Sequence, residues 1–229
     1  MTGPDKYDFI NIHDHGANPH DGVFTIDNIM VHEKRSPGDI PGIAYSCGAH
    51  PWNIEEGNID EQIRKVRKYA SLPNVIAVGE AGFDRMRGAD EVLQEKAFIA
   101  QVEISEEMRK PLFIHCVKAW DELLGCHRKM QPKMKWIIHG FRGKPELAAQ
   151  LLGKGFYLSP WVEWAIKPES AVTLKSIPLN RLFLETDGFD IDIEPVYKVV
   201  AEHLEIDLVA LKKQLWENFD SLFHLSSLA

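Results

Sequence analysis

Short apolar, β-branched or aromatic runs recur along the chain at residues 7–13, 23–31, 43–48, 75–80, 112–115, 136–139, 156–159 and 182–186, separated mostly by polar segments of helical periodicity. That alternation predicts an α/β protein with a parallel sheet, and eight strands is the number of a (β/α)8 TIM-type barrel. Between the runs, Ile59, Ile63, Val66 and Ala70 fall at helical spacing, with Asn58 and Glu61 as a capping pair. Leu93, Ala97, Ala100, Ile104 and Met108 predict a second helix that ends before Pro111. Further helices are expected over 119–130, 145–153, 195–204 and 208–223, the last with Asp207 as its N-cap. The stretch between the second and third runs holds Pro37, Gly38, Pro41 and Gly42 and is too short and broken for a crossover helix. The barrel is therefore expected to be abbreviated around its second strand. No internal repeat or linker marks a boundary, so residues 1–229 read as a single domain.

Composition changes this picture little. A chain of 229 residues lies within the range that α/β barrels fill as one unit, and 45% hydrophobic with 26% charged residues is an ordinary globular mix. No apolar run approaches the length of a spanning helix, and the start lacks a basic leader followed by an apolar core, so a soluble cytoplasmic protein without membrane association is expected. The net charge of −8 argues against coating nucleic acid with a broad basic face, but leaves a compact acidic-site enzyme open. Cys47, Cys116 and Cys126 are odd in number and lack zinc-ribbon spacing, which fits a reducing compartment.

The chemistry lies where the runs end. They stop at His13, followed by His15, and at Glu80, His115, His139 and Asp187, each a metal-ligand residue type. In a parallel barrel the C-terminal strand ends converge on one mouth, which lets residues far apart in sequence meet. His13 and His15 are two apart, so on a strand both imidazoles point to one side. A lone histidine at a strand end is commonly a structural residue; six such groups at five of the eight run ends point to metal. Imidazole and carboxylate ligands without thiolate suit zinc, manganese or iron, and a carboxylate such as Glu80 can bridge two ions about 4 Å apart. Cys116 follows His115, points to the opposite side of its strand and reads as a buried small hydrophobe.

At these residues the sequence resembles the TatD family of metal-dependent deoxyribonucleases, within the wider amidohydrolase-like group of barrel enzymes. The segments that look alike are Ile12-His-Asp-His15, Gly48-Ala-His-Pro51, Val78-Gly-Glu-Ala-Gly-Phe-Asp84, Pro111-Leu-Phe-Ile-His115, Ile138-His-Gly-Phe141 and Leu184-Glu-Thr-Asp187, with Glu217-Asn218 and Leu222-Phe223 near the end. The resemblance implies two divalent ions, zinc, magnesium or manganese. It places one on His13, His15, Glu80 and Asp187 and the other on Glu80, His115 and His139, with Glu80 bridging. It implies a hydrolase of ester bonds in which the ions activate a water, Asp187 is the general base, and Glu80 shares the catalytic work. His50 would face a substrate oxygen, with Arg142 and Lys118 as further substrate contacts.

The chain also departs from the family. Asn11 stands where an acid is usual two residues before the first histidine, Val117 replaces a common arginine with Lys118 next to it, and Arg142 stands where serine is more frequent. After Asp187 the family has a small residue, proline and an aromatic, then an arginine and an asparagine-proline element; here the chain reads Gly188-Phe-Asp-Ile-Asp192. Asp190 and Asp192 either repel a phosphate chain or point to solvent and cap the next helix. Trp52, Trp161 and Trp164 lie just beyond strand ends, where they either stack on bases or close the mouth. Three functions are thus expected in order: a nuclease acting on DNA ends or short single strands, a hydrolase of a small amide, lactone or phosphoester, and a silent barrel that binds a partner.

Overall fold

The computed structural model describes residues 8–223. Seven strands, β1 (Phe9–Asp14), β2 (Val23–Met30), β3 (Ile43–Gly48), β4 (Val75–Asp84), β5 (Leu112–Val117), β6 (Trp136–Phe141) and β7 (Tyr157–Pro160), form one sheet in chain order. The neighbours β1/β2, β3/β4, β4/β5 and β6/β7 run parallel. Helices α1 (Ile59–Ala70), α2 (Glu91–Met108), α3 (Trp120–Met130) and α4 (Pro145–Leu152) alternate with the later strands. Two short helices, α5 (Val162–Ala165) and α6 (Ala171–Ser176), follow β7, and α7 (Ile193–Leu204) and α8 (Leu208–Phe223) complete the described chain. Residues 31–42 contain no helix, as the broken sequence there predicts. Tyr7, the first residue of the first predicted run, lies outside the described residues.

Two compact units make up the chain. One comprises the chain up to Asp27, Ile40–Ile43 and the chain from Ile137 onward; the other comprises Asn28–Asp39 and Ala44–Trp136.

In the first unit the eighth run, residues 182–186, does not form a strand of its own. It makes a single parallel bridge, Leu158 to Leu182. It still fills the eighth strand position, because Phe183 N–H donates to Leu158 C=O at 2.9 Å and Ile12 N–H donates to Leu184 C=O at 3.0 Å. Side chains fix what the short ladder leaves loose. The Asn218 amide donates to Leu179 and Leu182 carbonyls at 2.7 and 2.9 Å. The buried Tyr197 hydroxyl donates to Ile10 C=O at 2.9 Å and accepts from Ile10 N–H at 3.3 Å, locking α7 to β1.

In the second unit α2 carries two buried glutamines seven residues apart, hence on one face. The Gln94 carboxamide accepts from Asp84 N–H at 2.8 Å and donates to Asp84 C=O at 3.0 Å; Gln101 does the same with Ala49 at 2.8 and 3.0 Å. Each replaces ladder bonds that the backbone at a strand end cannot make. Asp90 caps α2 by accepting from Leu93 N–H at 2.9 Å. Asp207 accepts from Val209 N–H at 2.7 Å, the cap expected for α8. Asn58 does not cap α1: its backbone is in the right-handed helical region and its Oδ1 accepts from Glu55 N–H and Gln62 Nε2 instead. Asp192 precedes α7 in an extended conformation without a side-chain cap bond.

The three cysteines are free thiols. Trp136 and Trp216 are buried. No helix among the described residues is long and apolar enough to cross a membrane.

Because Tyr197→Phe strands a buried carbonyl of β1, it should cost about 1–2 kcal/mol, read as a lower urea midpoint at unchanged slope. An unchanged midpoint would remove the hydroxyl from this role.

Candidate functional site

Strand register aims the functional side chains. Between Asn11 and Asp14, β1 advances three residues while β2 advances two, from Thr25 to Asp27. The same single extra residue occurs in β4 from Val78 to Ala81 against Leu112 to Ile114, and in β6 from Ile138 to Phe141 against Leu158 to Pro160. These bulges bracket His13, Glu80 and His139. A bulge bends its strand and re-aims a side chain that regular alternation would send elsewhere. Gly79 makes the one in β4 possible: its φ is +107°, and a Cβ there would meet the Phe113 carbonyl oxygen at 2.3 Å.

In the first unit four of the six expected ligands gather on one oxygen. His13 Nε2, His15 Nε2 and His139 Nδ1 lie 3.7, 3.6 and 3.8 Å from Asp187 Oδ1, and the His13 and His139 rings stack at 4.3 Å. These separations are too long for hydrogen bonds. They suit donors facing a common ion, because atoms about 2.1 Å from a tetrahedral metal lie about 3.4 Å apart. The donor set, imidazole nitrogen plus carboxylate oxygen, thus fits a divalent metal in both chemistry and spacing. The His13 side chain is fully buried, whereas those of His15 and Asp187 are 25% and 20% exposed, so the cluster opens to solvent on their side.

Asp187 is held by its backbone. Its N–H donates to His13 C=O at 3.0 Å, and its φ of +52° is left-handed, a region that aspartate enters more readily than most non-glycine residues. Gly188 follows with φ +73°, and a Cβ there would lie 3.3 Å from His15 Cβ. Asp14 Oδ1 ties the two strand ends together by accepting from His15 N–H and Gly188 N–H at 2.9 and 2.8 Å. Burial raises the Asp14 carboxyl above its usual range. Asn11 grips the adjoining residue: it accepts from Thr186 N–H at 3.0 Å and donates to Thr186 Oγ1 at 2.6 Å. The residue that departs from the family pattern therefore acts here as a two-bond clamp, a role open to a carboxamide and closed to a carboxylate, which cannot donate. Glu185, fully buried, accepts from Gly140 N–H at 2.6 Å and so satisfies the backbone at the β6 bulge. Burial also pushes its carboxyl above the ordinary carboxylate range.

In the second unit Glu80 and His115, the other two expected ligands, meet. His115 Nδ1 lies 3.0 Å and His50 Nε2 lies 3.1 Å from Glu80 Oε1, while the Asn28 amide donates to Glu80 Oε2 at 3.3 Å and is itself fixed by the Ser46 hydroxyl at 2.9 Å. His50 Nδ1 accepts from Trp52 N–H at 3.2 Å, which assigns the ring proton to Nε2, facing Glu80. His50 is buried against Glu80, whereas Lys118 is exposed with a left-handed φ of +54°. Asp84 accepts from Trp52 Nε1 at 2.6 Å and lies 3.3 Å from His115 Nε2. Burial alone would raise the Asp84 carboxyl, but hydrogen bonds from His115, Trp52 and Met86 N–H hold it at about 2. Asp14, Asn28, Asp84 and Glu185 were not among the residues expected from sequence. Asp14, Glu185 and Asp84 sit inside the family-like segments, one, two and four residues from an expected ligand, so the signal was present without a role attached; Asn28 sits in a strand with no motif.

Comparison with known proteins decides the family. The family model described as TatD related DNase matches residues 28–224. The chain belongs to the TatD family. Among TatD relatives and similar proteins, an uncharacterized metal-dependent hydrolase of Buchnera aphidicola is 30% identical over 205 residues, 80% of this chain and 78% of its own. A protein of Erwinia billingiae named 3'-5' ssDNA/RNA exonuclease TatD is 32% identical over 65% of this chain and 59% of its own. In fold, a TatD homologue from Escherichia coli K12 matches at a TM-score of 0.78 and 20% identity, covering 94% of this chain and 98% of its own. A TatD family hydrolase from Entamoeba histolytica matches at 0.76 and 18%, covering 95% and 98%. The fold is thus the TIM-type barrel that the alternating runs predict, and this TatD chain is a metal-dependent hydrolase.

A methyl group at Gly188 would have to adopt a left-handed backbone and press on His15. Gly188→Ala should therefore lower stability by about 1–2 kcal/mol, measured as a shift in urea midpoint; a neutral substitution would show that the His15–Gly188 approach is not tight.

Proposed function

We propose that this chain is a cytoplasmic deoxyribonuclease of one domain that uses two divalent metal ions to cleave phosphodiester bonds at the ends of DNA or in short single strands. The observation that carries this reading is the convergence of three imidazoles on Asp187 Oδ1 at 3.6–3.8 Å. The name of the Erwinia billingiae relative supports nucleic acid as substrate, and the three free thiols support a reducing compartment.

In this reading His13, His15, Glu80 and Asp187 hold one ion, and Glu80, His115 and His139 hold the other, with zinc, magnesium or manganese as candidates. Bound ions would supply a water acidified towards neutral pH and offset charge on the phosphoryl oxygens. The protein's own part is orientation and proton handling. Asp187, the partly exposed carboxylate of the first unit's cluster, orients the attacking water and accepts its proton. Asn28 and His50 hold the two Glu80 oxygens in place, the kind of supporting contact on which metal affinity depends. Glu185 and Asn11 keep the strand ends from relaxing. Substrate phosphate falls to Arg142 and Lys118, while His50 reaches a substrate oxygen only from its place on Glu80.

One observation favours a small-molecule substrate instead. A cavity of about 630 Å³ in the first unit is lined by His15 and by Asp14, Asp21, Asp190, Asp192 and Glu194, a wall that repels a phosphate chain. A neutral or cationic amide, lactone or phosphoester would avoid that repulsion.

Cleavage of end-labelled single-stranded DNA by wild type and Glu80→Ala, with EDTA or with added magnesium, manganese or zinc, separates the readings. Wild type should cleave only with metal, and Glu80→Ala should lose at least about a hundredfold while keeping its melting transition. Cleavage that survives both chelation and the substitution would sink the metal mechanism. Turnover of an uncharged ester or lactone without DNA cleavage would move the assignment to the second substrate class.

A further inference from the structure

Arg142 and Phe189, two residues that depart from the family pattern, meet through a third. The Arg142 guanidinium lies 4.6 Å over the Trp161 ring, and the Phe189 ring stands edge-on to Trp161 at 6.0 Å with 65° between the planes. The backbone builds the group directly beyond two ligands. Arg142 is three residues past His139, Phe189 is two past Asp187, and Trp161 N–H donates to Phe141 C=O at 3.0 Å. Arg142 is exposed and makes no ion pair among the described residues. Phe189 is 39% exposed, one of few large hydrophobic side chains left open to water.

We propose that this corner is the base-binding subsite of the nuclease: an unpaired nucleobase at the end of single-stranded DNA stacks on Phe189 while Arg142 takes the adjoining phosphate. The inference rests on the deoxyribonuclease reading and adds the specificity determinant to it. An exposed aromatic face beside an unneutralised guanidinium is the pairing that binds single strands without regard to sequence. Trp161 is the positioning residue, because one face carries the guanidinium and its flank carries Phe189. A guanidinium stacked on an indole keeps its edge donors free for phosphate oxygens. Phe189 also lines the acidic cavity, as do His20 and Asp192, whose Nε2 and Oδ1 lie 3.8 Å apart. A phosphate chain is repelled by the carboxylates of that cavity and attracted by the Arg142 guanidinium.

The test compares two single-stranded oligonucleotides that differ only in whether the terminal nucleotide carries a base or is abasic. Phe189→Leu keeps an apolar group of similar size but offers no planar face. It should raise KM about tenfold on the base-bearing strand, leave kcat within twofold, and leave both constants unchanged on the abasic strand. Phe189→Tyr should restore wild-type values. Arg142→Gln should weaken both substrates equally, since both carry the phosphate, and flatten the salt dependence of KM. Equal losses for Phe189→Leu on the two substrates, or no loss on either, would overturn the stacking subsite while leaving the nuclease reading intact. Failure of the wild type to cleave either strand with any metal would overturn the nuclease reading and this inference together.

Discussion

The site depends on one extra residue in each of three strands. A regular parallel ladder alternates side chains between two faces and pairs every backbone group. The bulges in β1, β4 and β6 break that regularity where His13, Glu80 and His139 stand. Breaking a ladder inside a protein leaves polar backbone that must find other partners, at about 1–3 kcal/mol for each group left unmatched. At the β6 bulge Glu185 answers that need by taking the Gly140 N–H. Elsewhere Asn11 takes the Thr186 N–H of the eighth run, and Gln94 and Gln101 take both groups of Asp84 and Ala49 where strands end. These side chains look like surplus polarity in a barrel core, yet each satisfies backbone that the ladder leaves unpaired.

The same economy explains why rigidity and reactivity adjoin. Asp187 sits in a left-handed conformation and is partly exposed, while Asp14 and Gly188 beneath it form a hydrogen-bonded knot. Strain of this kind persists only where surrounding contacts over-determine the geometry. On the second unit Glu80 is fixed through both oxygens by Asn28, His50 and His115, a network with every member engaged. Fully engaged buried networks hold a single arrangement, which is what a candidate metal ligand requires.

Much of this was legible in the sequence, and the limits are physical. The apolar runs stop at His13, Glu80, His115 and His139, a ligand residue type in each case, although the strands themselves run on to Asp14, Asp84, Val117 and Phe141. The continuation of β4 to Asp84 was not visible, since the apolar run reads as ending at Glu80, whereas the close backbone approach of Gly79 and Gly82 to β5 extends the strand. The eighth run reads as a strand from its apolar composition, yet its partners are single hydrogen bonds and the Asn218 amide. Asn58 looked like a cap because residue type alone cannot tell which of several nearby donors an amide will serve. Asn28 carries no periodic or motif signal; only the fold brings it to Glu80.

The bulges also decide where this barrel tolerates a change in chain length. Because the bulged strand advances three residues while its partner advances two, pairing on either side stays in register and the extra residue is absorbed where it stands. Removing it would leave the residues beyond on the faces they already occupy and take away only the re-aimed candidate ligand. A single insertion or deletion elsewhere in a strand has no such slack and would turn every later side chain to the opposite face. Length can therefore vary at little cost in the loops past the strand ends, while within the strands the site is inherited as a count of positions as much as a set of residues.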